Sequence, residues 1–238
     1  MNNKYEIMKS GENKGRIRAL RSFGGVKKDD IGGFIESEKN LSHNGDCWVC
    51  GNAKVSGNAK VFDDAWVFGN ARVTENAKVC GNAMVYGDAL VFGNALVTDG
   101  AYVFDDAKVT GNAWVSGDAE VTENAKVSGN AKISGNAKVS GNAKVSGDAK
   151  VFDDAYVFGN AWVSGNARVY GDAKVSGNAK VSGNALVFDD AYVYGKALVT
   201  GYAKVSGKAL VIGDVYGNAM VSGNAKVFGN EKLIKSLI

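Results

Sequence analysis

The sequence predicts an all-β chain wound as a triangular parallel β-solenoid, and three observations carry that prediction. From Val49 an aliphatic residue recurs at every sixth position, through Val55, Val61 and Val67 as far as Val211, with Ile133 the one residue other than Val. Four residues after nearly every one stands an Ala: Ala53, Ala59, Ala65, Ala71. Between them falls a Gly-Asn or Gly-Asp pair, so that the consensus rung reads V-S-G-N-A-K.

A period of six does not keep one residue type on one face of a helix that turns every 3.6 residues. It suits a strand of about three residues followed by a corner. Val then points inward from the strand, and Ala fills the narrow slot at the bend. Gly, Asn and Asp supply the corner, because left-handed backbone angles cost them least. Three rungs close one coil of eighteen residues. Coils stack at the inter-strand spacing of about 4.8 Å, so about ten of them make a prism roughly 50 Å long. The interval from Val211 to Val215 is two residues short, which predicts one clipped corner.

Residues 47–230 are thus read as the solenoid. Residues 1–46 form an N-terminal cap, with strands expected near Tyr5–Met8 and Arg16–Leu20, turns at Gly24-Gly25 and Gly32-Gly33, and entry into the solenoid near Leu41. Residues 231–238, EKLIKSLI, break the period. Leu233, Ile234, Leu237 and Ile238 are at helical spacing, which predicts a short helical plug over the last coil.

The rungs GNAKVS, GDALVF and GNARVY resemble the hexapeptide repeat of left-handed β-helix proteins, best known from acyltransferases. That resemblance implies left-handed winding, which the period alone does not. The segment RIRALRSFGGVKKDDIGGFIESEKNLSHNGDCWV, residues 16–49, is similar to the cap of a bacterial and prophage-encoded group of such proteins. Many of these are labelled as transferases or left without a function.

Composition excludes several other classes. The chain has 32 Gly, no Pro and one His, yet 45% of it is hydrophobic and 10% aromatic, unlike a disordered low-complexity chain. A formal net charge of +3 does not call for a nucleic-acid partner. No stretch approaches the roughly 18 apolar residues of a membrane helix. The first residues lack an apolar signal core, and three cysteines is an odd number. Both features point to a reducing, cytoplasmic setting, with a phage particle as the other expectation.

Sorting the rungs by eighteens separates three faces. The first, through Val49, Val67, Val85 and Val103, carries Trp48/Cys50, Trp66/Phe68, Met84/Tyr86 and Tyr102/Phe104. It continues through Glu120/Thr122, Lys138/Ser140, Tyr156/Phe158, Lys174/Ser176, Tyr192/Tyr194 and Leu210/Ile212. The second carries Lys54, Arg72, Lys108, Lys126, Lys144 and Lys180, beside Ser or Thr at most partner positions. The third carries Lys60, Lys78, Lys132, Lys150, Arg168 and Lys204, mixed with Phe62, Phe152, Tyr170 and Phe188. One face therefore reads as apolar and two as largely wet. An aromatic ladder over adjacent coils exceeds what a soluble monomer leaves exposed. It predicts an interface through Trp48, Trp66, Phe68, Met84, Tyr86, Tyr102, Phe104, Tyr156, Phe158, Tyr192 and Tyr194. Ring stacking within the chain is the structural alternative.

Candidate chemistry is sparse. The acyltransferases that the repeat resembles use a His as general base at a subunit boundary. His43 lies at the cap junction and no rung carries a His, so it reads as a packing residue. In C-W-V-C, Cys47 occupies the inward Ala slot while Cys50 points outward, which separates the thiols and argues against a metal or redox pair. The pairs Asp63-Asp64, Asp105-Asp106, Asp153-Asp154 and Asp189-Asp190 read as turn chemistry, with Ca²⁺ left open. The lysine rows read as solvated faces. The expected function is a non-catalytic scaffold or interaction module, without cofactor, metal, nucleic acid or membrane, that self-associates or docks a partner through the aromatic face. The alternatives are an acyltransferase-like enzyme with a site between subunits, and a phage-type protein that captures a small molecule or a host protein.

Overall fold

In the computed structural model, residues 3–229, 232–233 and 237 are described. The chain forms two compact units, Met1–Gly117 and Asp118–Ile238.

The first unit begins with three cap strands, β1 (Tyr5–Ile7), β2 (Arg16–Ala19) and β3 (Ile31–Ile35). β1 and β2 pair antiparallel, as do β2 and β3. β3 then lies parallel to the first strand of the second face, with Phe34 opposite Lys54 and Ile35 opposite Val55. The Gly32-Gly33 pair is therefore strand and not turn. The reason is contact: a Cβ at Gly32 would come within 2.5 Å of both Ile17 and the Val49 carbonyl. One turn of 3-10 helix, Glu38–Asn40, leads into the coil. Buried Asn40 donates through Nδ2 to the carbonyls of Gly57 and Ala59, at 3.0 and 2.9 Å, and so fastens the cap to the first coil.

Each rung contributes a strand of two residues, the second being the inward aliphatic one, as at Lys54–Val55, Lys60–Val61 and Trp66–Val67. Pairing across eighteen residues is parallel and in register: Trp48, Trp66, Met84 and Tyr102 align, as do Val49, Val67, Val85 and Val103. Counted on the first face, four coils stand in the first unit and seven in the second. Backbone N–H groups donate to the coil that follows, for example Asn52 to Gly69, Lys54 to Ala71 and Ser56 to Val73, at 2.7, 2.9 and 3.0 Å. Inside these hydrogen bonds the Val and Ala side chains have no solvent exposure along almost the whole repeat. Each such Val contributes about 1.5–3 kcal/mol.

The corners explain both the glycines and the acids. At Gly69 φ is +69°, and an added Cβ would sit 3.0 Å from the Gly87 nitrogen. Where an acid replaces Gly in this slot it takes the same angle: Asp63, Asp105, Asp153 and Asp189 have φ of 57°, 55°, 59° and 57°. Asp63 and Asp189 each accept the N–H of the corner glycine one coil on, Gly81 at 3.2 Å and Gly207 at 3.0 Å. That bond offsets left-handed strain which costs a residue bearing Cβ roughly 1–2 kcal/mol. The neighbouring corner position forms amide ladders such as Asn52 to Asn70 to Asp88. A carboxylate ends such a ladder because it accepts but cannot donate.

In the second unit the clipped corner falls where the sequence places it. Asp214–Val215 directly follows Leu210–Val211 and a buried Gly213. The rung lacks the usual Ala carbonyl. The Leu198 N–H instead donates to Asp214 Oδ1 at 3.0 Å, while Tyr216 donates its hydroxyl to Oδ2 at 2.8 Å. Past Val227 the described residues show further strand pairing where a helical plug is expected. Lys232 and Leu233 pair parallel with Asp214 and Val215, and Leu237 bridges Val221. The open edge of the last coil offers unpaired backbone groups, and those hydrogen bonds outweigh a weak helical period. Residues 231, 234–236 and 238 of that segment lie outside the described residues.

Candidate functional site

The first face of the first unit carries the densest aromatic strip, and its rungs place the side chains in two columns flanking the inward Val. Phe68, Tyr86 and Phe104 form one column. Their ring centroids are 4.7 and 4.9 Å apart with interplanar angles of 3° and 5°. Trp66, Met84 and Tyr102 form the other, in register at the same coils. All six are half-buried. Stacked rings present their edges outward, because neighbouring rings occupy the faces.

Trp48 does not belong to this strip. It is 2% exposed, covered edge-on by Phe23 at 5.4 Å and by Tyr5 at 6.4 Å. The cap folds over the first coil, and Trp48 is the anchor it covers. An N-terminal arm that lies forty residues away in sequence gives no local signal of this.

In the second unit the same face is built differently. Tyr156 stacks on Phe158 at 4.4 Å, and Tyr192 on Tyr194 at 4.7 Å, each pair within a single rung. The tyrosines lean back over the preceding coil. Tyr156 Oη lies 2.9 Å from Ser140 Oγ, and Ser176 Oγ donates to Tyr192 Oη at 2.9 Å. Ser140 and Ser176 are thereby almost fully covered, at 5% and 4% exposure. Tyr192→Phe leaves Ser176 without this acceptor and is expected to cost about 1 kcal/mol. Ser176→Ala in the same chain is expected to recover most of that loss, as read by a double-mutant cycle in urea.

The third face of this unit is less wet than the sequence suggests. Phe152, Tyr170 and Phe188 stack at 4.8 and 5.1 Å with angles of 5° and 4°, a second ladder beside the Lys150 and Arg168 column. Burial, with Asp189 close by, raises the Tyr170 hydroxyl above its usual range.

The cap junction holds Lys4 and Asn40, two polar side chains without solvent exposure. Lys4 has no exposure, and its Nζ donates to the carbonyls of Gly45 and Cys47 and to Cys47 Sγ, at 3.1, 2.9 and 3.2 Å. Burial holds the Cys47 thiol above its usual range, although Lys4 opposes that shift. Tyr5 donates to the Leu41 carbonyl at 2.7 Å. Burial, with Glu38 and Cys47 adding to it, keeps its hydroxyl protonated well beyond the ordinary range. His43 stacks on Tyr5 at 4.3 Å and accepts the Lys4 backbone N–H at Nδ1, 3.3 Å away. His43 thus packs within the cap. Cys47 is buried and Cys50 half-buried, and both are free thiols. Among the described residues no group of three or more His, Cys, Asp or Glu side chains is placed to hold a metal ion. Nor is any helix among them long and apolar enough to cross a membrane.

Comparison with known proteins bears on the repeat alone. Residues 77–91, 161–177 and 215–229 match a family model described as the YdcK β-solenoid repeat. No curated protein matches the chain. With the coils described above, these segments mark the chain as a β-solenoid repeat protein.

Proposed function

We propose that this chain is a rigid, non-catalytic scaffold, a left-handed solenoid of the hexapeptide type, that self-associates through the aromatic strip of its first unit. The observation that carries this reading is the Phe68–Tyr86–Phe104 ladder beside Trp66, Met84 and Tyr102. A strip of ring edges suits another β surface better than a ring-shaped ligand, which needs a free ring face to stack on. Within the first unit, rigidity follows from the coil-to-coil hydrogen bonds and the column of buried Val, so docking costs little ordering entropy.

Two charges placed in the strip test the reading. Trp66→Lys combined with Tyr102→Lys is expected to fold, since both positions are half-exposed, and to lose self-association in sedimentation runs. Lys54→Glu, on the second face, is expected to leave assembly as in the wild type. Equal assembly in all three proteins would exclude the strip as the interface.

A further inference from the structure

A second surface, on another face of the second unit, carries a different signature. Lys126, Lys144, Trp162, Lys180 and Leu198 stand in register along the second face, each next to an inward Val. The three lysines are exposed, and among the described residues no carboxylate lies within salt-bridge reach of any of them. Lys126 and Lys144 sit directly opposite one another on adjacent coils, ~4.8 Å apart at the backbone, where like charges repel. The corners on either side of Trp162 and Lys180 are all Gly-Asn, while Glu123 and Asp148 stand at corners beside Lys126 and Lys144. Trp162 is 43% exposed, yet it is held in place: Nε1 donates to Ser146 Oγ at 3.1 Å, and Lys180 Nζ lies 5.8 Å from the ring centroid. The result is a fixed apolar platform in a row of unpaired cations, with a Ser or Thr hydroxyl at each rung.

We propose that this row binds a linear acidic polysaccharide built of uronate sugars and laid along the solenoid axis. One sugar stacks on Trp162, and the carboxylates of the sugars on either side of it meet Lys144 and Lys180. In an extended β-1,4-linked chain alternate sugars face the same way, so carboxylates on one side recur every two pyranoses, close to the two-coil separation of Lys144 and Lys180, ~9.6 Å. Phosphates of a nucleic-acid strand advance by ~3.4 Å in a duplex and fall out of step with the coils. The serines supply uncharged partners for sugar hydroxyls, and the fixed indole stacks without further loss of rotamer freedom.

Calorimetric titration of the full chain with a β-1,4-linked mannuronate hexamer tests the proposal. Binding is expected, and raising salt from roughly 0.05 to 0.3 M should weaken it about tenfold. The uncharged β-1,4-linked mannose hexamer is expected not to bind. Trp162→Ala should weaken the uronate about tenfold, and Lys144→Glu with Lys180→Glu should abolish its binding. Trp114→Ala, at a 40% exposed indole of the first unit, should leave the affinity unchanged. Melting temperatures of the variants are measured alongside, and all these positions lie on the surface. Failure of the uronate to bind would overturn the proposal. So would equal affinity in Trp162→Ala, or tighter binding of an oligothymidine than of the uronate.

Discussion

Val157→Asp is expected to abolish cooperative folding of the second unit, with a loss of more than about 4 kcal/mol. Val157 has no solvent exposure and lies between Val139 and Val175 in the column of one face. Its backbone neighbours are committed to the adjacent coils: the Tyr156 N–H donates to Ala173 at 2.9 Å, and the Phe158 N–H to Val175 at 2.9 Å. A carboxylate at that depth finds neither water nor a free donor. Val157→Ala, which removes only apolar volume, is expected to cost about 2 kcal/mol. Urea titration followed by far-ultraviolet circular dichroism separates the two. An unchanged midpoint for the aspartate would mean that position 157 faces outward, and the assignment of inward and outward columns would fall with it.

Lys4→Ala is the second large effect, expected at about 3–5 kcal/mol. The substitution removes the partner of the Gly45 and Cys47 carbonyls and of Cys47 Sγ, and it opens a void beside Phe23, whose ring centroid lies 5.0 Å from Nζ. In a stacked repeat each coil leans on its neighbours, so a cap that loosens also exposes the first coil. Hydrogen exchange should therefore quicken first in residues 47–67 and fade with distance along the chain. Uniform loss of protection across the first unit would contradict an end-on cap. No change at all would mean that Lys4 is not the fastening.

Most of the repeat was legible because its information is local and periodic. The inward Val column, the Ala slot, the three faces at intervals of eighteen and the clipped corner after Val211 each follow from counting. The structure aligns Trp66, Met84 and Tyr102 as that counting requires. The cap was less legible, because its packing depends on partners far away in sequence. A lysine in a polar N-terminal stretch reads as exposed until the chain brings the carbonyls of residues 45 and 47 to it. Trp48 occupies an outward position by the repeat rule, and only the returning cap buries it. At the other end, Leu233 and Leu237 pair as strand residues where helical spacing pointed to a helix, and Ile234 and Ile238 lie outside the described residues. Four apolar residues carry a weak period, whereas the edge of a finished coil is a strong template for strand pairing. The second ladder, Phe152–Tyr170–Phe188, was visible in the same counting but hidden among lysines. Stacking at about 5 Å is decided by side-chain packing rather than by composition.

Self-association through the aromatic strip is the proposed link between fold and function, and the molar mass of the wild-type chain in solution tests that link most directly. Light scattering on the eluted protein is expected to give a multiple of the 24.9 kDa chain mass, and Trp66→Lys with Tyr102→Lys is expected to return a single chain. A wild-type protein that stays at the mass of one chain at every concentration would contradict self-association through this face.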